Sequence, residues 1–163
     1  MKNNGIKIAV GIDKWLDQNG WAGWDPYSIR ELPFMIRVSS LSKIYRNKFW
    51  FRVLNKVTAT VTNRFPYLFL KMFNCPKKIN AKGMGLFALS YFNLFEKTKE
   101  KKYLDKALSI LEWLENNRSK EYKNFCWGYP FDWSSTSFVP EGTPSVVVSK
   151  HCGDAFWKAY KVT

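Results

Sequence analysis

The chain has 163 residues, 46% of them hydrophobic, with 26 Lys and Arg against 13 Asp and Glu and a net charge of +13 at pH 7. That length suits one domain or part of a larger one, and that apolar content excludes a wholly disordered chain. Aromatic residues reach 18%, with 8 Trp, 13 Phe and 8 Tyr, an excess that asks for an explanation of its own.

Met1 to Ile6 is followed by no long apolar run and no convincing small-residue cleavage site, so a secretory signal is not expected. The longest charge-free stretch inside an expected helix, Gly83 to Phe95, has 13 residues, short of the roughly 20 that span a bilayer. Cys75, Cys126 and Cys152 are odd in number and widely spaced, and His151, the single histidine, adjoins Cys152. Adjacent side chains converge poorly on one ion, so no metal site is expected. Free thiols in a reducing cytoplasm are the simpler reading.

In chain order, residues 1–28 form an aromatic-rich N-terminal segment. Gly11, Gly20 and Gly23 interrupt it, with a helical turn around Ile12–Gln18 and a turn at Asp25-Pro26. Residues 29–79 form a second region. Leu41, Ile44, Tyr45 and Lys48, continued by Phe49, Arg52 and Val53, have helical spacing, which predicts one helix or two over 34–73. The β-branched run Val57 to Thr62 alternates and leaves a strand open there. Pro66 marks a break or the first turn of another short helix. The third region, 80–163, carries the clearest pattern. Asn80 is positioned to cap a helix from Ala81 to about Lys97, whose apolar face, from Met84 through Phe87, Ala88, Tyr91 and Phe92 to Phe95, runs nearly all round. Gly83 and Gly85 in its first turn suggest close packing. A second helix follows from Lys102 to about Asn117, with Tyr103, Ala107, Ile110, Leu111 and Leu114 as its stripe. Together they predict an αα-hairpin. Residues 119–144 form a long connection rich in Gly, Pro and aromatics. Thr143 and Pro144 then read as the cap and first position of a third helix, to Tyr160, with Val148, Cys152, Ala155, Phe156 and Ala159 on one face. The expected fold class is all-α, built of αα-hairpins. A nearly all-apolar first helix needs cover on two sides, so either residues 34–73 close the fold or the chain is part of a longer repeat architecture, the favoured reading.

Gly23-Trp24-Asp25-Pro26-Tyr27, Ala81-Lys82-Gly83-Met84-Gly85-Leu86-Phe87-Ala88, Cys126-Trp127-Gly128-Tyr129-Pro130-Phe131-Asp132-Trp133 and Gly142-Thr143-Pro144 resemble the N-terminal part of a poorly characterised family associated with polysaccharide biosynthesis. The resemblance runs from residue 21 on and is strongest over 80–160. It implies an α/α toroid of the kind shared by six-hairpin glycosidases, sugar epimerases and terpene cyclases, here a partial one. It also implies carbohydrate metabolism linked to surface polysaccharide. The family chain is far longer, and its turn at 25–27 is followed by a second Asp where this chain has Ser28. A truncated or inactive copy is therefore part of the expectation.

The loop offers the matching chemistry. Trp127, Tyr129, Phe131 and Trp133 alternate, and aromatic faces stack on the C–H faces of sugars. The other use of such rings is to plug the end of a helical layer. Asp132, between two aromatics, suits a general acid with a raised pKa. Glu141 or Asp25 would supply the second carboxylate of glycosidic cleavage. Against these stand an Asx turn at Asp132 and a solvated charge at Glu141. His151 and Asp154, at i,i+3 on one helix, form a further acid–base pair, or a boundary histidine.

From Arg30 to Lys78 there are 11 Lys and Arg and one acid, Glu31, a net +10, against +3 for the rest of the chain. Arg46, Lys48, Arg52 and Lys56, interleaved with Phe49, Trp50 and Phe51, suit an anionic membrane surface or an acidic polymer. A solvated face is the plainer alternative. No nucleic-acid motif, phosphate loop, dinucleotide fingerprint or nucleophile elbow occurs, so no cofactor is expected, and a nucleic acid is the least favoured polyanion for this stretch. Two functions follow. One is a carbohydrate-processing or carbohydrate-binding protein. The other is a non-catalytic interaction protein docking through residues 30–78, cytoplasmic and peripheral to the inner membrane face.

Overall fold

The computed structural model describes residues 2–45, 48–134 and 138–163. Among these the fold is all-α apart from one two-stranded ribbon. The chain forms two units, one from 1–22, 79–130 and 142–163, the other from 23–78 and 131–141.

The first unit is built on the helix that Asn80 starts. Asn80 is extended, and its side chain accepts the Lys82 N–H at 3.0 Å, a cap that contributes about 1 kcal/mol. The helix runs Ala81–Thr98 and ends on Lys99, left-handed at φ 62°, whose N–H returns to the Phe95 carbonyl. We call it α5, since four α-helices precede it. Helix α6, Lys101–Asn116, folds back against it and buries Tyr103, Ala107, Ile110, Leu111 and Leu114. This is the predicted hairpin, with ends shifted by a residue. Helix α7, Val146–Val162, packs on α5 as well and buries Val148, Cys152, Ala155 and Ala159. Two neighbours thus satisfy the nearly all-round apolar face of α5, with Ala88 and Phe92 fully buried.

The two glycines of the first turn differ. A Cβ on Gly85 would lie 2.7 Å from the His151 carbonyl oxygen, whereas one on Gly83 would meet nothing within 4 Å. Close packing therefore rests on Gly85.

The start of α7 departs from the sequence reading. Thr143 does not cap it, and Pro144 is not its first residue. Gly128 and Pro144 form an antiparallel bridge instead, with the Gly142 N–H on the Tyr129 carbonyl and the Ser145 N–H on the Trp127 carbonyl. This pairing, which begins on Gly142 at φ 76°, keeps 143–145 out of the helix and delays its start to Val146. It requires Gly128, since a Cβ there would lie 2.3 Å from the Thr143 carbonyl oxygen.

Helix α1, Lys2–Asn19, is a correction of larger size. The glycines suggest broken structure with one turn around 12–18, yet Gly5 and Gly11 lie inside an unbroken helix. Their cost, about 1 kcal/mol each, is offset by Ile6, Ala9, Val10 and Leu16 packing on the core. Gly20, at φ 73°, then ends the helix.

In the second unit Gly23 and Lys78 form an antiparallel bridge that ties the two ends of the segment together. A 3-10 helix, Pro26–Glu31, leads to α2, Pro33–Ile44, then α3, Phe49–Arg64, then α4, Pro66–Met72. Pro66 takes the first-turn position that was one of its two readings. Residues 57–62 are helical, not a strand. The Thr60 hydroxyl donates to the Lys56 carbonyl at 2.8 Å and the Thr62 hydroxyl to the Thr58 carbonyl at 2.7 Å, the back-bonded state in which Thr fits a helix. The core of this unit is small. Ile29, Leu32 and Leu70 are buried, with Trp24, Phe34, Phe69 and Cys75 against them. The ribbon pairs β1, Trp133–Ser134, with β2, Phe138–Val139.

Gly85→Ala is expected to lower stability by about 1–3 kcal/mol through overpacking, and Gly83→Ala to raise it by up to about 1 kcal/mol. Paired thermal melts check both, and equal melting temperatures for the two variants would contradict the close approach of α5 and α7.

Candidate functional site

Each carboxylate singled out in the sequence has a structural partner. Asp25 caps the 3-10 helix, its Oδ1 accepting the Tyr27 N–H at 2.9 Å. Asp132 accepts the Glu141 N–H at 2.6 Å through Oδ1, which closes the loop around the β1–β2 ribbon. Glu141 is half exposed and pairs through Oε2 with Lys78 Nζ at 3.0 Å, while Glu31 Oε1 holds the same ammonium at 2.7 Å. Burial alone would lower the Lys78 pKa, but the hydrogen bonds to both glutamates outweigh it and raise it above 10.5. Asp25, Asp132 and Glu141 all belong to the second unit. The role each has there is to cap a helix, close a loop or join an ion pair.

His151 lies in the first unit, half-buried on α7. Asp154, its expected partner, pairs with Lys150 at 2.6 Å along the same helix. Among the described residues no three His, Cys, Asp or Glu side chains gather as a metal site requires.

The aromatic loop divides between core and surface. Trp127 is 3% exposed, its indole N–H donates to the Leu114 carbonyl at 2.8 Å, and its ring stacks on Phe156 at 5.9 Å. Tyr129 packs against the same core. Phe131 is equally buried, in the second unit. Trp133 contributes its backbone to β1, and its side chain lies outside the described residues. A buried Trp needs a partner for its N–H, and Leu114 supplies one, so Trp127 serves as a plug of the helical layer.

The basic residues have different surroundings. Arg46 lies outside the described residues. Lys48, just before α3, is exposed with its ammonium 5.3 Å over the Tyr45 ring. Arg52 and Lys56 are exposed on α3. Residues 33–72 hold eight Lys and Arg and no Asp or Glu. Among the described side chains none of Arg37, Lys48, Arg52, Lys56, Arg64 and Lys71 makes an ion pair, whereas Lys78, Lys106 and Lys158 do.

The sequence reading missed one polar cluster, in the first unit. Asp13 of α1 is 6% exposed and accepts the Tyr91 hydroxyl at 2.7 Å and the Lys106 ammonium on the same oxygen. Lys106 also holds Asp17 at 2.7 Å. The signal for it was Asp13 and Asp17 at i,i+4, the two acids of the α1 segment. Burial alone would raise the Asp13 pKa, but the bonds from Lys106 and Tyr91 and the Lys106 charge hold it below 3.8. Burial, then Asp13, push Tyr91 strongly upward. The cluster fastens α1 to α5 and α6. Beside it lies a cavity of about 100 Å³ walled by Ala9, Ile12, Leu16, Phe87, Tyr91 and Leu94.

Compared with protein-family models, curated proteins and solved structures, the chain finds no match.

Two outcomes follow. Asp132→Asn keeps a carbonyl acceptor for the Glu141 N–H and should melt close to wild type, whereas Asp132→Ala should cost about 1–2 kcal/mol. Near-equal melts for Ala and wild type would remove Asp132 from the loop closure. The folded Asp13 pKa is depressed, so its contribution is present above the ordinary carboxylate pKa of 3.8 and is lost as pH falls through the folded value. Asp13→Asn should cost about 2 kcal/mol at neutral pH and flatten the loss of stability below pH 3.8. Parallel acid titrations of the melting temperature test this, and identical acid limbs would contradict it.

Proposed function

We propose that the protein is a non-catalytic docking protein that seats helices α2–α4 against an anionic partner. One observation carries the reading: a forty-residue stretch with eight cations and no acid, whose described cations are exposed and make no ion pairs. Like charges held together raise the energy of the free protein, and a negative partner relieves that repulsion. The engagement of Asp25, Asp132 and Glu141 in caps, loop closure and an ion pair also favours docking over acid–base chemistry.

The carbohydrate reading is the second proposal. What supports it is the resemblance over 80–160 and the hairpin α5–α6 with α7 laid on α5, an arrangement compatible with part of an α/α toroid. With Trp127 and Phe131 buried, a sugar would have to be met by other parts of the loop.

The test uses the full chain on immobilised heparin at low and at raised salt. Wild type should be retained at low salt and released as salt screens the contact. The variant with Arg46, Lys48, Arg52 and Lys56 all changed to Gln should pass through. Equal retention of the two at low salt would overturn the proposal.

A further inference from the structure

We infer that the anionic partner is a lipid bilayer, on whose surface α3 lies. This rests on the docking function proposed above and names its partner. At about 100° per residue, Trp50, Val53, Leu54, Val57 and Val61 fall within one arc of α3 roughly 100° wide. All five are exposed, between 37% and 78%. The side of α3 next to the Leu54 edge of this arc faces the protein, with Thr62 2% exposed and Phe51 and Thr58 half-buried. The apolar arc therefore points to solvent, with exposed Arg64 inside it and exposed Lys56 about 60° past its Val53 edge. Helix α4 adds exposed Tyr67, Leu68 and Met72, and α2 ends on exposed Ile44.

The chemistry of the arc distinguishes among anionic partners. A nucleic acid or acidic glycan gains from cations and stacked rings, but has no apolar phase to receive Val53, Leu54, Val57 and Val61. A bilayer surface takes both, with aliphatic and Trp side chains in the acyl–headgroup boundary and Lys and Arg against lipid phosphates. The Thr60 hydroxyl, at the edge of the arc, is already bonded to the Lys56 carbonyl at 2.8 Å, so that side of α3 enters the boundary with its hydroxyl satisfied. No described helix is long and apolar enough to cross a membrane, and a helix lying in the surface needs no such length. The anionic cytoplasmic leaflet has the charge this face requires.

The experiment is co-sedimentation of the full chain with vesicles of phosphatidylcholine and phosphatidylglycerol, with pure phosphatidylcholine vesicles and heparin as comparisons. Wild type should bind the mixed vesicles far better than the neutral ones. Lys56→Gln with Arg64→Gln should weaken that binding about thirtyfold. Leu54→Ser with Val57→Ser should weaken it about tenfold and leave heparin retention unchanged. As a readout that does not depend on these variants, brominated lipid should quench wild-type fluorescence more than that of Trp50→Phe. Retention on heparin without vesicle binding would overturn the bilayer and leave the docking function standing, whereas loss of both would end both. A dimer abolished by Leu54→Ser with Val57→Ser would make a second copy the occupant and overturn the inference, as would equal quenching in the Trp50 comparison.

Discussion

The first unit depends on how closely α5 and α7 approach. With the Gly85 Cα facing the His151 carbonyl and no Cβ between them, the two backbones come near enough for Cys152 and Val148 to be fully buried. The Cys152 thiol even reaches the Ala81 carbonyl, at 3.4 Å, and burial pushes its pKa up to about 12. Trp127 stacks on Phe156 of α7 and bonds Leu114 of α6, so its place follows from the same packing. The backbone pairing of 127–129 with 142–145 then fixes where α7 begins. A fold of this kind tolerates little added volume along the α5–α7 line, because close-packed interiors respond to single methyl groups.

Much of this was legible in the residues. Asn80, the period of 84–95 and the stripe from Tyr103 to Leu114 locate α5 and α6 to within a residue or so, because capping and apolar periodicity are local signals. The errors lie where a distant contact outweighs a local preference. Gly5 and Gly11 argue against α1, yet apolar packing and the pairing of Asp13 with Lys106 hold it helical. Val57 to Thr62 alternate like a strand, yet hydroxyl back-bonding and the inward turn of Thr62 place them in α3. Thr143-Pro144 has the local form of a helix start, but backbone pairing with Gly128 draws it into an extended segment.

The candidate site was legible in its charges and less so in its carboxylates. An excess of cations over a stretch of chain survives folding when no acid lies near enough to pair with it, which is the state of the described cations of α2–α4. An isolated Asp or Glu carries no such guarantee, since its partner is set by tertiary structure. Asp132 finds a backbone N–H nine residues on, and Glu141 finds a lysine far back along the chain. The apolar arc of α3 was hidden for a related reason. Period alone marks an amphipathic face, but whether that face meets protein or solvent depends on the rest of the fold.

The Asp13–Lys106 pair restricts the order in which this sequence can change. Losing Asp13 first takes the acceptor from the buried Tyr91 hydroxyl, at about 2 kcal/mol, but leaves Lys106 paired with exposed Asp17 and strands no charge. Losing Lys106 first strands a buried carboxylate with only the Tyr91 hydroxyl among its described hydrogen-bond partners, which is severely destabilising. Substitution at the two positions is therefore directional: drift that removes the cluster passes through position 13 before position 106. A lineage that has already replaced Asp13 regains freedom at 106, so the history of one site is recorded in what the other will accept.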